Sequence, residues 1–237
     1  MSVWWYREVT GFAMAMPAWA RLFIAIGTDV VLIAFAARMV WSWWRARQGD
    51  ARTLSLILLG PVATAMAYAV SEAIKAALQE ERPCRSVSPA TIVACPAQGD
   101  WSFPSNHSVI AGAAGAAVVL ACHSASFWVV PTALLAAASR VIVGVHYPHD
   151  VVAGLALGVG VALLVMLPIR RPLTRLVVHQ RSLQRWRWLV AAPRPDADSP
   201  AARSPHVTDR RPVNTRETAM ASTRAAESST RNGEGPR

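Results

Sequence analysis

The feature that most constrains this chain is a succession of apolar runs, separated by short polar connections and ending near Ile169. A run of ~18 or more mostly apolar residues reads as a membrane span, because a helix of that length rises through the hydrocarbon core. Spanning segments must satisfy every backbone N–H and C=O internally, which favours helices over irregular chain. The runs cover Leu22 to Trp44, Thr53 to Leu78, the residues after Ser105 to His123, Phe127 to Val145, and Val151 to Ile169. The expected fold is all-α, a polytopic membrane helical bundle with five clear spans. Residues 1–20, with Trp4, Trp5, Tyr6 and Trp19 as aromatic anchors, add an interfacial or a sixth helix.

The remaining organisation follows from where the charge falls. Residues 1–21 form the N-terminal segment and 22–171 the membrane domain. Residues 172–192 mix Leu, Val and Trp with arginines, as a basic amphipathic helix on the surface would. From Pro193 to Arg237 there is no apolar periodicity, and the composition is that of a disordered basic tail. The net charge of +10 lies mainly at the span ends and in the arginines from Arg170 onward. No aromatic-basic platform accompanies it, so nucleic acid is not the expected partner; anionic headgroups of the bilayer are.

Basic residues prefer the cytoplasmic ends of spans. Arg45, Arg47 and Arg52 lie in the first connection, and Arg170, Arg171 and Arg175 follow the fifth span. With five spans both groups fall on one side, which places the C-terminal tail in the cytoplasm. The loop 83–106 and the connection 144–150 then share the extracytoplasmic face. In that compartment Cys84 and Cys95 are free to pair or to remain as thiols. Cys122, at the far end of the third span, reads as a packing residue.

Three polar segments converge on that face: KAALQEERP (Lys75 to Pro83), PSNH (Pro104 to His107) and SRVIVGVHYPHD (Ser139 to Asp150). Lys75 is the only lysine among 24 basic residues. Lys75, Arg82 and Arg140, with Ser105 and the start of a helix at Asn106, suit a multiply charged anion, since arginine binds phosphate bidentately and free N–H groups point outward at a helix start. A neutral His146, four residues from Asp150, is placed to attack phosphorus while the carboxylate fixes its tautomer. His107 is placed to protonate the departing oxygen. Asp29 reads as a buried partner for another polar group, and His149 as a bystander.

The three segments resemble the signature of the type-2 phosphatidic acid phosphatase superfamily, K-x6-RP, PSGH and SR-x5-H-x3-D. The resemblance spans Lys75 to Asp150. It implies His146 as nucleophile, Asp150 as its orienting partner, His107 as general acid, and Lys75, Arg82, Ser105, Asn106 and Arg140 as phosphate ligands. It implies neither metal nor cofactor. Asn106 stands where the pattern has glycine, and the family core is commonly six helices.

The residues around the second and third motifs look most like those of polyprenyl (undecaprenyl-type) diphosphate phosphatases, which release phosphate from the cell-wall lipid carrier. Phosphatidate, phosphatidylglycerophosphate and prenyl-phospho-sugar phosphates are rival substrates. An inactive membrane scaffold or lipid-binding protein is the alternative from another class. The resemblance therefore implies a membrane lipid substrate held at the extracytoplasmic face of a multi-pass protein.

Overall fold

The computed structural model describes residues 2–87, 90–183 and 188–190. Its elements are α1 (Ser2–Ala15), α2 (Ala18–Ala46), α3 (Ala51–Leu78), the single turn α4 (Pro83–Ser86), α5 (Asn106–Ala121), a 3-10 turn (His123–Ala125), α6 (Ser126–Ile142) and α7 (Pro148–Ser182). No strand occurs among the described residues. Four helical stretches are long and apolar enough to cross a membrane: Ala18–Ala46, Ala51–Ser86, His123–Ile142 and Pro148–Ser182. The stretch expected as the third span, α5, is apolar but only 16 residues long. With 14 residues, α1 is shorter than the ~17 that crossing requires.

The core forms where α3, α5 and α7 meet. Leu56, Leu59, Ala63 and Ala67 pack against Val109, Ala113 and Ala117, and these against Ala162, Val165 and Met166. The small residues of α5 explain its central place, because without bulky side chains neighbouring backbones approach closely. At Gly158 a Cβ would stand 2.1 Å from the Val109 carbonyl oxygen, and at Gly154 2.7 Å from that of Ser105. The GxxxG spacing of α7 is therefore the seam on which it meets α5. Outward-facing Phe23, Ile33, Leu135 and Leu164 are exposed and give the bundle an apolar perimeter suited to lipid.

Two expectations are corrected. The helix after the fifth span does not break at residue 171: α7 continues through Pro168 and Pro172 to Ser182. Its extension is held because Val177 packs with Leu54 and Val190, while the Arg181 guanidinium donates to the carbonyls of Gly49 and Arg47. Cys122 is exposed, not a packing residue, since α5 ends one residue before it. The proposed disordered tail from Pro193 lies outside the described residues.

The connections at one end of the bundle are tightly tied. Cys84 and Cys95 form a disulfide. Arg85 donates to the Pro96 carbonyl, and Ser102 N–H donates to the Glu80 carbonyl at 2.8 Å. Tyr6 of α1 is fully buried and donates to the Gly144 carbonyl at 2.9 Å, which anchors α1 at the same end.

Candidate active site

Each element delivers its polar residue for a local reason. Lys75 lies in the last turn of α3, which closes on Gln79 in the left-handed conformation. Arg82 precedes Pro83, whose fixed φ starts α4. Ser105 is the N-cap of α5, so Asn106 and His107 occupy its first turn with N–H groups free of helical partners. Arg140 lies in the last turn of α6. His146 is in the connection to α7, and Asp150 in the first turn of that helix.

The structure brings Arg82, His146 and Asp150 into one buried chain of contacts. Asp150 Oδ2 lies 3.4 Å from His146 Nδ1 and accepts from Tyr147 N–H at 2.9 Å. The Ser102 hydroxyl also donates to this oxygen. On the other side of the ring, Arg82 Nη1 lies 3.0 Å from His146 Nε2. A guanidinium has no acceptor, so Nε2 is the lone-pair nitrogen and the ring proton sits on Nδ1, towards Asp150. Burial pushes His146 down to about 4; the Asp150 contact opposes this, and the Arg82 charge reinforces it. The imidazole is thus neutral, with its lone pair on the side of the cations.

Lys75 is buried and donates to Asp100 Oδ1 at 3.1 Å. Arg82 Nη2 donates to the same oxygen at 2.8 Å, and Arg82 Nε to the Asp100 carbonyl at 2.7 Å. Burial alone would raise the Asp100 carboxyl, but the hydrogen bond and charge of Arg82 and the charge of Lys75 hold it below the usual range. Arg140 is buried, with Nη1 donating to Thr28 Oγ1 at 3.2 Å and Nε unpartnered. The buried Ser105 hydroxyl is also without a partner. A site with two buried cations on one carboxylate, and unspent donors beside it, has the chemistry of an oxyanion receptor.

His107 Nε2 lies 3.0 Å from Asp29 Oδ1 of α2, so Asp29 does partner a polar group. Its side chain is exposed rather than buried as expected, because it lies on the outer side of α2. Asn106, in the position where glycine was expected, is held at both ends of its amide: Ser71 donates to Oδ1 at 2.7 Å and Nδ2 donates to Glu72 at 2.6 Å. His149, read as a bystander, stacks near Tyr147 and lies 3.1 Å from Glu80 Oε1 and 3.0 Å from Asp150 Oδ1. Among the described residues, Glu80, His149 and Asp150 form the group whose donor atoms lie close enough together to hold a metal ion. The contacts of His149 to both carboxylates account for their closeness without one.

Sequence reasoning missed Asp100, Ser102 and Thr28. Ser102 carried one usable signal, three residues before Ser105 in a segment otherwise made of Trp, Phe and Pro. Asp100 carried none, since an aspartate after a Gly in a polar loop reads as turn chemistry.

Residues 54–171 match the PAP2 superfamily. Over 109 residues the chain is 33% identical to an undecaprenyl-diphosphatase of Sulfolobus acidocaldarius, covering 45% of this chain and 52% of that protein. Over 102 residues it is 35% identical to a decaprenylphosphoryl-5-phosphoribose phosphatase of Mycobacterium tuberculosis, covering 42% and 54% respectively. The matched stretch thus spans about half the length of these relatives. The fold resembles the crystal structure of a transmembrane PAP2 type phosphatidylglycerolphosphate phosphatase from Bacillus subtilis. The TM-score is 0.52 at 19% identity, over 70% of this chain and 85% of that one.

Proposed function

The chain carries a PAP2 superfamily domain at residues 54–171, and on that premise we propose that it is an integral-membrane phosphatase acting on a polyprenyl (undecaprenyl-type) diphosphate. The product is the monophosphate, formed through a phosphohistidine at His146. The observation that carries this reading is the state of His146: buried, neutral, its Nδ1 proton directed to Asp150 and its Nε2 lone pair beside Arg82.

The steps follow from that geometry. The Nε2 lone pair attacks the terminal phosphorus, the P–O bond to the rest of the lipid breaks, and its electron pair leaves on the oxygen. His107 supplies the proton to that oxygen. The Nδ1–H···Asp150 contact stabilises the positive ring formed as the N–P bond appears. Lys75, Arg82, Arg140, Ser105 and the N–H of Asn106 receive the equatorial oxygens, whose charge grows in the transition state. His107, left without that proton, takes one from the water that attacks the phosphohistidine; the N–P bond breaks with its electron pair returning to Nε2, and orthophosphate leaves. Arg82 Nη1 stands at the lone pair that phosphorus must approach, so the guanidinium moves onto the equatorial oxygens as substrate binds.

A lipid substrate suits the surroundings. An apolar groove of about 680 Å³ between α2 and α6 is lined by Trp19, Phe23, Ile26 and Leu135, with Thr28 and Ser139 also in its wall. Thr28 is the residue that accepts from Arg140, so the groove lies beside the phosphate ligands. A hydrocarbon tail there and its phosphate at Arg140 fit one molecule. The polyprenyl assignment draws on the undecaprenyl and decaprenyl names of the relatives; phosphatidylglycerophosphate is the second reading, favoured by the Bacillus subtilis fold neighbour. On the reading that α5 crosses together with the four longer helices, the arginines of the first connection and those from Arg170 onward lie at the opposite end from the site, which supports an extracytoplasmic active site.

The test is phosphate release by the protein purified in detergent, with chelator present, from polyprenyl diphosphate, phosphatidate and phosphatidylglycerophosphate. Polyprenyl diphosphate is expected to give the highest kcat/KM, and His146→Ala to release nothing above background. Full activity in His146→Ala refutes the mechanism. A higher kcat/KM on phosphatidylglycerophosphate refutes the substrate assignment alone.

A further inference from the structure

The cations assigned to phosphate already hold an anion. Asp100 Oδ1 accepts from Lys75 Nζ at 3.1 Å and from Arg82 Nη2 at 2.8 Å, a pair of charge-assisted hydrogen bonds of the kind a phosphate oxygen would receive. The two cations are buried, whereas the Asp100 side chain is 48% exposed. The carboxylate therefore reaches the cations from the solvent side, the side from which a phosphate arrives. Glu72 adds a second negative charge 3.9 Å from Lys75.

The backbone that delivers Asp100 is held in place. Gly99, with φ +86°, completes a turn in which Asp100 N–H donates to the Ala97 carbonyl at 3.2 Å. Upstream stand the Cys84–Cys95 disulfide and the Arg85 contact to Pro96; downstream stands the Ser102 bond to Glu80. The Asp100 carbonyl accepts from Arg82 Nε whatever its side chain does. The side chain can thus rotate into solvent while the loop stays tied through its backbone carbonyl.

We propose that Asp100 is the resident counter-ion of the phosphate site. Its carboxylate takes the place of a phosphate oxygen between Lys75 and Arg82, is displaced by an entering lipid phosphate, and returns to expel the freed orthophosphate. Tethering gives this competitor a high effective concentration that a dilute soluble anion does not match. A lipid, concentrated in the bilayer and retained by its tail, does match it. Asp100 thereby separates membrane substrates from soluble phosphate and relieves product inhibition. This inference rests on Lys75 and Arg82 being phosphate ligands.

A purely positioning role for Asp100 predicts the opposite sign. If the carboxylate only steadied Lys75 and Arg82, its loss would weaken anion binding. The experiment measures inhibition by orthophosphate and by orthovanadate, with KM and kcat for the lipid substrate, in the wild type, Asp100→Asn and Asp100→Ala. Both variants are expected to lower the inhibition constants of both anions about fivefold or more and to lower KM, with kcat no higher than wild type. Thermal unfolding in the same detergent identifies a misfolded variant, and the other then decides. Unchanged or raised inhibition constants overturn the proposal. Lys75→Met and Arg82→Met, measured in parallel, are expected to raise the same constants. If they do and the Asp100 variants show no decrease, the inference about Asp100 alone falls; if they do not, the reading of the phosphate site falls with it.

Discussion

Asp150 Oδ2 meets His146 Nδ1 at 3.4 Å across the first turn of α7, and the same oxygen accepts the backbone N–H of Tyr147 at 2.9 Å. One carboxylate therefore both closes the start of the helix and sets the tautomer of the buried imidazole. This economy accounts for the four-residue spacing: a residue in the first helical turn is the one able to reach back to the chain that enters the helix.

Asp150→Asn separates these two duties. The amide oxygen still accepts one hydrogen bond, but no carboxylate charge remains to stabilise a positive ring. The expected result is a fall in kcat of roughly 10²–10⁴ with little change in KM. Steady-state kinetics check this, and circular dichroism checks that helix content is retained.

The neutral burial of His146 has a pH consequence. Its folded value of about 4 lies below the ordinary value of 6.5, with burial as the chief cause. The unfolded chain therefore takes up a proton that the folded chain refuses. The stabilising difference is complete above pH 6.5 and is lost progressively as pH falls towards about 4. In catalysis, the acid limb of kcat/KM that belongs to the nucleophile of the free enzyme is expected to bend near pH 4 rather than near 6.5. A His146 ring that titrates near 6.5, followed by NMR in the folded protein, would contradict this.

The α5–α7 seam leaves no room for a methyl group at Gly158, where a Cβ would stand 2.1 Å from the Val109 carbonyl. Gly158→Ala is expected to destabilise by about 1–3 kcal/mol through forced separation of the helices. Gly160, two residues on, has open space at its Cβ position, and Gly160→Ala is expected to be neutral or slightly stabilising. Thermal unfolding in detergent distinguishes the two.

The Cys84–Cys95 disulfide closes a short loop that starts at the residue after Pro83 and leads towards Asp100 and Ser102. Replacing both cysteines with serine is expected to cost roughly 3 kcal/mol in the chain-entropy account. Because the segment just beyond that loop carries Ser102, which donates to Asp150, kcat is expected to fall as well. Unfolding midpoints and kinetics of the double variant read the two effects separately.

Much of the helical framework was legible in advance because lipid imposes a strong rule, and α2, α3, α6 and the start of α7 follow the apolar runs closely. The rule stops working where the helix leaves the apolar core. Thus residues 172–192 read as a separate amphipathic surface helix, yet α7 runs on to Ser182 because Val177 finds Leu54 and Val190. Lys75, Arg82, His146 and Asp150 were visible through their spacing, and Asp29 was visible as a charge inside an apolar run. Asp100 and Ser102 were not, since loop residues carry no periodicity and their partners are distant in sequence: 25 residues for Lys75 to Asp100 and 48 for Ser102 to Asp150.

The sequence by itself determined that the chain is a helical membrane protein with its titratable groups confined to a few segments. Apolar length and the cost of unpaired charge in lipid act on local composition, which any reader of the sequence can sum. Only the tertiary structure decided which acid meets which base. It set the His146 lone pair against Arg82, gave Asp29 to His107, and put the Asp100 carboxylate on Lys75 and Arg82. Those pairings depend on where three helix ends and one disulfide-tied loop converge, and electrostatic energy depends on distances that sequence spacing does not contain.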